Sequence, residues 1–218
     1  MLELKNVSKI YGDLHALDNV SLKVENGEWL AIMGRSGSGK STFLNLLAGL
    51  LEPTTGKVYL DDTDLYAMED RECSKLRNCS IGVIPQGQTG LYSLTVLENV
   101  KLPSMMYSRE PCSDEFALSL LERVGIAHLR DTYPNELSGG EMRRLAIARA
   151  QVMQPGILLA DEPTGDLDDE NTEAVLRLLR QSADEGTAVL LVTHEREAAA
   201  YADMIYKMNN GVLTLNEE

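Results

Sequence analysis

The chain has 218 residues, of which 44% are hydrophobic and 25% charged, with 20 lysines and arginines against 34 aspartates and glutamates. That length allows one domain with a buried core, and the composition is typical of globular proteins rather than disordered or fibrous ones. The net charge of -14 argues against nucleic acid as a partner, because nucleic-acid surfaces need clustered Lys and Arg.

Cysteine usage and hydropathy bear on location. The three cysteines form no CxxC pair, which argues against a disulfide framework or a thiolate zinc site and favours a reducing cytosol. The apolar runs fall short of the roughly 18 residues that a membrane span needs. The start, MLELKNVSKIYG, lacks the basic-then-apolar order of a signal peptide, so we expect the mature chain to begin at or near Met1.

The first third of the chain predicts a sheet followed by a helix. Period-two alternation and one short apolar run indicate strands at 2–10, 20–24 and 29–33. A glycine-rich segment comes next, and the apolar spacing after it predicts a buried helix over 42–50.

The middle of the chain predicts a hairpin and then a mainly helical region. Turn residues at 53–56 and 61–62 bracket a short strand at 57–60, and another strand is expected at 81–84. Helical spacing runs through 91–130, and strong helix formers follow Ser138 until Pro155 and Gly156 end the helix.

The last third alternates strands and helices. We expect strands at 157–160 and 188–192 with a helix at 167–181 between them, and a hairpin of 204–208 with 212–215 around an Asn-Gly turn. Because no internal repeat or low-complexity linker interrupts the chain, the sequence predicts one α/β unit.

The glycine-rich segment GRSGSGKS matches the P-loop pattern Gly-x4-Gly-Lys-Ser. Its glycines let backbone N–H groups point at a polyphosphate, the helix behind it contributes a positive dipole end, and Lys40 supplies a point charge. The Ser41 hydroxyl can ligate Mg²⁺. A flexible Gly/Ser turn is the alternative, and the apolar strand before it disfavours that interpretation. The predicted ATP-binding residues are Gly34, Arg35, Ser36, Gly37, Ser38, Gly39, Lys40, Ser41 and Thr42.

Two adjacent carboxylates, Asp161 and Glu162, end the strand ILLA. At a buried strand tip beside a P-loop, Asp161 would bind Mg²⁺ through water and Glu162 could polarise the water that attacks the γ-phosphate. On its own an acidic strand end is more often a turn.

A second glycine motif precedes the helix of the middle region and reads Ser138-Gly139-Gly140-Glu141. A serine hydroxyl and two glycine amides at a helix N-terminus make a second anion site. The alternative is a simple helix cap, with Ser138 as N-cap and Glu141 in the first turn.

Together these motifs resemble those of the ATP-binding cassette (ABC) ATPases, and the resemblance covers nearly the whole chain. It implies a P-loop NTPase of ABC type, with a mixed sheet core, an antiparallel β subdomain and an inserted α-helical subdomain. The implied single domain is 1–218, divided into a RecA-like core with the β subdomain at about 1–85 and 155–218 and a helical subdomain at about 87–154.

The same resemblance gives roles to four further residues, each of which alone has an ordinary structural explanation. Tyr11 matches the aromatic residue that stacks on adenine, and Gln86 the glutamine that touches Mg²⁺ and the attacking water. Asp168 matches a carboxylate in the loop after the catalytic glutamate, and His194 matches the histidine that contacts the γ-phosphate. The catalytic set implied is Glu162, His194 and Gln86, and the metal set is Ser41, Gln86 and Asp161.

The resemblance also implies partners. Two ATPase subunits would form a head-to-tail dimer, each ATP held between one P-loop and the other subunit's Ser138 segment, and would drive a separate transmembrane permease from the cytoplasmic face of the cell membrane. The segments LSGGE and ADEPTGDLD are most similar to those of one branch of the family, which serves lipoprotein release, macrolide or peptide export and the cell-division pair. Two alternatives are a mechanical regulator of a membrane protein and a soluble cassette ATPase.

Overall fold

The strands of the chain form an antiparallel sheet and a mixed sheet in the computed structural model, which describes residues 1–87, 89–107 and 110–216. The antiparallel sheet has the order β2-β1-β4-β5. Its strands are β1 (Leu2–Tyr11), β2 (Leu14–Val24), β4 (Thr55–Leu60) and β5 (Thr63–Asp64).

The mixed sheet has the order β10-β9-β3-β8-β7-β6 and is parallel except for its β9–β10 hairpin. Its strands are β3 (Trp29–Met33), β6 (Ile81–Ile84), β7 (Ile157–Asp161), β8 (Ala188–Thr193), β9 (Met204–Asn209) and β10 (Val212–Leu215). Because β3, β7 and β8 run in the same direction, their carboxyl ends meet at one edge of the sheet.

The helices pack against the strands or against one another. They are α1 (Lys40–Leu47), α2 (Asp70–Ser80), α3 (Val96–Tyr107), α4 (Asp114–Arg123), α5 (Gly139–Gln151), α6 (Asp169–Asp184) and α7 (Arg196–Ala199). Short 3-10 turns lie at Ala127–Leu129 and Pro134–Glu136. No helix within the described residues has both the length and the hydrophobicity that a membrane span requires.

Alternate residues of the central strands feed two hydrophobic cores. Leu190 and Val192 of β8 join a core with α1 and the antiparallel sheet, while Val189 and Leu191 join a second core with α3 to α6. Every residue of β8 is buried, as expected for a strand covered on both faces. The carboxyl edge of this sheet is therefore a rigid support for side chains.

The α/β fold with a mixed sheet, predicted from the sequence, is confirmed, but several element boundaries were wrong. β2 begins at residue 14 rather than 20, the helix predicted at 42–50 spans 40–47, and that predicted at 167–181 spans 169–184. The helical region 91–130 contains two separate helices, α3 and α4. Helix α2 was not predicted.

The division into a core and a helical subdomain at 87–154 stays a prediction. Residues 88, 108–109 and 217–218 of the predicted unit lie outside the described residues.

Candidate functional site

The loop between β3 and α1 has a shape that only glycine permits at two points. Gly39 has a φ of 108°, and a Cβ there would lie 2.3 Å from the Ala16 carbonyl oxygen. A Cβ at Gly34 would lie 2.6 Å from the Met208 carbonyl oxygen. The loop is thus held between β2 and β9, which fixes its course before α1 begins.

Lys40, the first residue of α1, reaches back across this loop. Its Nζ donates hydrogen bonds to the carbonyl oxygens of Gly34, at 2.7 Å, and Arg35, at 3.2 Å. The same Nζ lies 3.9 Å from Oε1 of Glu162, and both side chains are only 10% exposed. A partly buried ammonium is therefore fixed between the loop and the end of β7.

A cavity of about 850 Å³ opens over the loop. It brings together predicted residues from five separate segments: Tyr11, Arg35, Ser36, Gly37, Gly39, Lys40, Ser41, Thr42, Gln86, Asp161, Glu162 and His194. Gly34 and Ser38 belong to the same loop but do not line this cavity among the described residues, and Ser38 is buried.

The cavity has a second wall that sequence reasoning missed. It is formed by Leu14, His15, Ala16, Asn210 and Gly211. The turn between β9 and β10 reaches the loop through the Gly211 amide, which donates to the Ser38 carbonyl oxygen at 3.0 Å. His15 had no predicted role, and only its short distance along the chain from Tyr11 pointed to it.

Asp161 and Glu162 lie at the end of β7 in different settings. Burial, and then the charge of Glu162, raise the pKa of Asp161, while the charges of Lys40 and Arg143 oppose that rise. Glu162 is 8% exposed and has a φ of 45°, a left-handed conformation that costs free energy in a non-glycine residue. Its amide donates to the Val192 carbonyl oxygen at 2.9 Å, so β8 helps to hold this strained position.

His194 follows β8 and contacts Glu162. Its Nδ1 lies 2.9 Å from Oε2 of Glu162, and its amide donates to the same oxygen at 3.3 Å. The hydrogen bond to Glu162, and then the charge of Glu162, raise the pKa of His194. The imidazole thereby orients the Glu162 carboxylate at the cavity wall.

The residues at the cavity suit Mg²⁺ held jointly with a phosphate ligand. Ser41, Gln86 and Asp161 line it, and hydroxyl, amide and carboxylate oxygens are the hard donors that Mg²⁺ prefers. Within the described part of the chain, no group of three His, Cys, Asp or Glu residues could hold a metal ion by itself. A cation here would need oxygen ligands from a bound polyphosphate.

The predicted residues 138–141 lie apart from this cavity, at the N-terminus of α5. Ser138 Oγ accepts from the Glu141 amide at 3.3 Å, and Glu141 Oε2 accepts from the Ser138 amide at 2.7 Å. The hydrogen bond from the Ser138 amide, and then that from the Ser138 hydroxyl at 2.8 Å, lower the pKa of Glu141. The predicted helix cap is therefore present, while Ser138 and Gly139 stay exposed on the surface.

Asp168 adjoins this second group. It caps α6 and accepts hydrogen bonds from the amide and the side chain of Asn171, both at 2.8 Å, which lower its pKa. Gly140 is buried against Asn171, since a Cβ there would lie 2.1 Å from Asn171 Oδ1. The structure thus gathers the predicted residues into a cavity group and a separate surface group.

Comparison with known proteins gives one family and relatives that match nearly the whole of this chain. The family model described as "ABC transporter" matches residues 17–165. The lipoprotein-releasing system ATP-binding protein LolD of Shewanella oneidensis is 44% identical, over 100% of this chain and 97% of LolD. The macrolide export ATP-binding/permease protein MacB of Chlorobaculum tepidum is 40% identical over 98% of this chain, which corresponds to 33% of MacB.

A solved structure has the same fold over nearly the whole chain. It is a dimeric, post-hydrolysis state of the ATP-binding cassette MJ0796 of Methanocaldococcus jannaschii, bound to ADP and Pi. It is similar with a TM-score of 0.90 and 38% identity, covering 99% of this chain and 98% of the solved one.

Proposed function

This chain belongs to the ABC transporter family, and from that membership we propose that it works as half of an ATP-driven dimer that powers a separate membrane permease. As a cassette of this family it is an ATP-binding and ATP-hydrolysing subunit. The observation that carries the proposal is the convergence of Lys40, Gln86, Asp161, Glu162 and His194 on one cavity.

In this proposal ATP occupies the cavity with its phosphates along the glycine-rich loop. Lys40 gives its charge to the outer phosphates, in place of the two carbonyl oxygens that it now contacts. Tyr11, 48% exposed at the cavity wall, offers a ring face to the adenine. Mg²⁺, held by Ser41, Gln86 and Asp161, would supply neutralising charge to the phosphates.

Hydrolysis in this proposal depends on Glu162 as the general base. Its carboxylate, oriented by His194, accepts a proton from the water that attacks the γ-phosphate, while Gln86 orients that water. The side chain is nearly buried, so few competing waters surround it. His194 is largely exposed and can turn toward the γ-phosphate as the reaction proceeds.

The surface group suggests that the cavity is half of a site. Ser138, Gly139, Gly140 and Glu141 carry a helix N-terminus that favours an anion, yet within the described residues they do not line their own chain's cavity. We infer that they contact the ATP of a second copy, with Asp168 beside them at the subunit contact. The dimeric state of MJ0796 with ADP and Pi bound supports a dimer of this chain.

The permease is proposed to dock on the helical region 87–154 and the adjoining edge of the mixed sheet. A groove of about 280 Å³ there is lined by apolar residues that include Leu50, Val83, Met106 and Tyr107, and these four are exposed. Exposed apolar patches mark interaction sites, and methionine adapts to a partner's shape. The proposed activity is export or extraction of a lipoprotein, peptide or drug from the cytoplasmic face of the membrane, and the names of LolD and MacB support the lipoprotein and the macrolide drug.

The test of this proposal is Glu162→Gln, which keeps the side chain's size and removes the base. We expect the variant to bind ATP, to lose at least about 100-fold in turnover, and to sediment as a dimer with ATP and Mg²⁺ but not with ADP. Glu173→Gln, on the exposed face of α6, is the control and should behave as wild type. Undiminished hydrolysis by Glu162→Gln, or a monomer at saturating ATP, would contradict the proposal.

A further inference from the structure

Helix α5 is attached to the segment that follows β6 at three points. Arg143 Nη1 donates to the Pro85 carbonyl oxygen at 2.8 Å, and Arg149 Nη1 donates to that of Thr89 at 2.7 Å. Gly90, the residue after Thr89, approaches the helix so closely that a Cβ would lie 3.0 Å from Met142 Sδ. The segment that carries Gln86 is therefore fixed to this helix.

Arg143 is unusual among the residues that attach α5 to the segment after β6. It is only 5% exposed, whereas arginine is almost never so deeply buried without partners. Burial lowers the pKa of its guanidinium, and the charges of Asp166 and Asp161 act in the opposite direction. The guanidinium is thus enclosed in the fold, where its hydrogen bond to the Pro85 carbonyl oxygen joins α5 to the segment after β6.

Arg143 also lies between the two groups of functional residues. It is five residues from Ser138, or about 7.5 Å along the axis of the helix. Its acceptor, Pro85, directly precedes Gln86, which lines the chain's own cavity. A displacement of the Ser138 end of α5 would therefore reach Gln86 most directly through the Arg143–Pro85 contact.

We propose that Arg143 is a positioning residue that couples the two ATP sites of the dimer, by linking the Ser138 group to Gln86 within each chain. The inference rests on the proposed function, because the Ser138 group must contact the partner's ATP. When that ATP is bound, α5 shifts as a rigid body, and Arg143 carries the Pro85–Gln86 segment with it. Occupancy of one site then changes the geometry of the other.

Arg149 provides a matched control for this contact. It lies on the same helix and is also partly buried, and burial likewise lowers its pKa. It donates two hydrogen bonds to Thr89, at 2.7 and 3.0 Å, three residues beyond Gln86. Arg143→Met and Arg149→Met each remove a guanidinium that bonds to the same segment, but only the first removes the contact next to Gln86.

The experiment measures ATP hydrolysis against ATP concentration for the full chain and both variants. We expect a Hill coefficient above 1, with the two sites of the dimer as its ceiling, for wild type and Arg149→Met, and about 1 for Arg143→Met. Binding of ATP without Mg²⁺ should be unchanged in Arg143→Met, and both variants should lose similar thermal stability. Should Arg143→Met fail to fold, Arg143→Gln keeps a polar side chain that is two bonds too short to reach the Pro85 carbonyl oxygen, and we expect it to lower the coefficient as well.

A wild-type Hill coefficient in the folded Arg143 variant would overturn the inference, and so would an equal loss of cooperativity in Arg149→Met. If Glu162→Gln dimerises with ATP in either case, the proposed function stands and only the role of Arg143 fails. If wild type is not cooperative and Glu162→Gln stays monomeric, the proposed function fails and the inference with it.

Discussion

Replacing Gly140 by alanine should destabilise the protein, while the same change at Gly139 should stabilise it slightly. The two glycines are adjacent in the first turn of α5 and neither has a positive φ. Among the described residues, a Cβ at Gly139 would meet only Leu167 Cδ2, at 3.8 Å, whereas one at Gly140 would lie 2.1 Å from Asn171 Oδ1. The pair therefore isolates one packing contact from the change in helix propensity.

The size of the expected stability difference depends on the interactions that the Asn171 side chain loses. Alanine in place of glycine at a compatible helical position gains about 0.4–1 kcal/mol. At Gly140 the Asn171 side chain must move, which breaks its 2.8 Å hydrogen bond to Asp168, worth about 1 kcal/mol, and forces a poorer rotamer, at about 1 kcal/mol. Gly140→Ala should thus be about 2 kcal/mol less stable than Gly139→Ala.

Urea unfolding of the two variants, together with Asn171→Ala and the Gly140→Ala/Asn171→Ala double variant, measures this directly. Because Asn171→Ala removes the obstacle, Gly140→Ala should become stabilising in that background, with a coupling free energy of about 2 kcal/mol. Equal stabilities of Gly139→Ala and Gly140→Ala, or a coupling near zero, would refute the packing argument.

Three further predictions concern the cavity and the surface group. Lys40→Met should weaken ATP binding at least about tenfold, because it removes the cation held at the loop; calorimetric titration with an unchanged affinity would contradict this. Ser138→Ala should lower turnover at least about tenfold and leave ATP binding without Mg²⁺ unchanged. A parallel loss of turnover and of ATP affinity would contradict this prediction. In Glu162→Gln the pKa of His194 should fall toward its ordinary value, because the hydrogen bond and charge that raise it are lost; an NMR titration of His194 identical to wild type would show that the contact does not form. Because the pKa of His194 is raised in the folded protein, its contact with Glu162 stabilises the fold fully below the ordinary histidine pKa. This stabilisation is lost as the pH rises through the raised pKa.

The strand, loop and helix of the phosphate site were predictable because their determinants lie close together in the chain. Trp29–Met33 is wholly apolar, glycines at set spacing follow, and the buried face of α1 comes next. Helix α2 was not predicted because its sequence carries no such local signal. Among its eleven residues only Cys73 is buried, so no apolar stripe marks it.

The start of β2 and part of the cavity depend on contacts between distant parts of the chain, which local sequence patterns do not predict. Leu14 and His15 are exposed at the β1–β2 turn, and Asn19 interrupts the alternation of β2 with a φ of 48°. The Asp18 amide donates to the Gly211 carbonyl oxygen at 2.9 Å. Pairing across more than 190 residues places His15 at the site, and only the folded chain reveals it.

The central claim, that each ATP site is completed by a second copy of the chain, is tested most directly by mixing two impaired variants. Lys40→Met lacks a working loop and Ser138→Ala a working surface group. A mixed dimer has one site with both defects and one intact site. Half of the dimers in an equal mixture are mixed and each has one intact site, so the mixture should recover up to about a quarter of the wild-type hydrolysis rate at saturating ATP. A mixture no more active than the average of the two variants alone would contradict the claim.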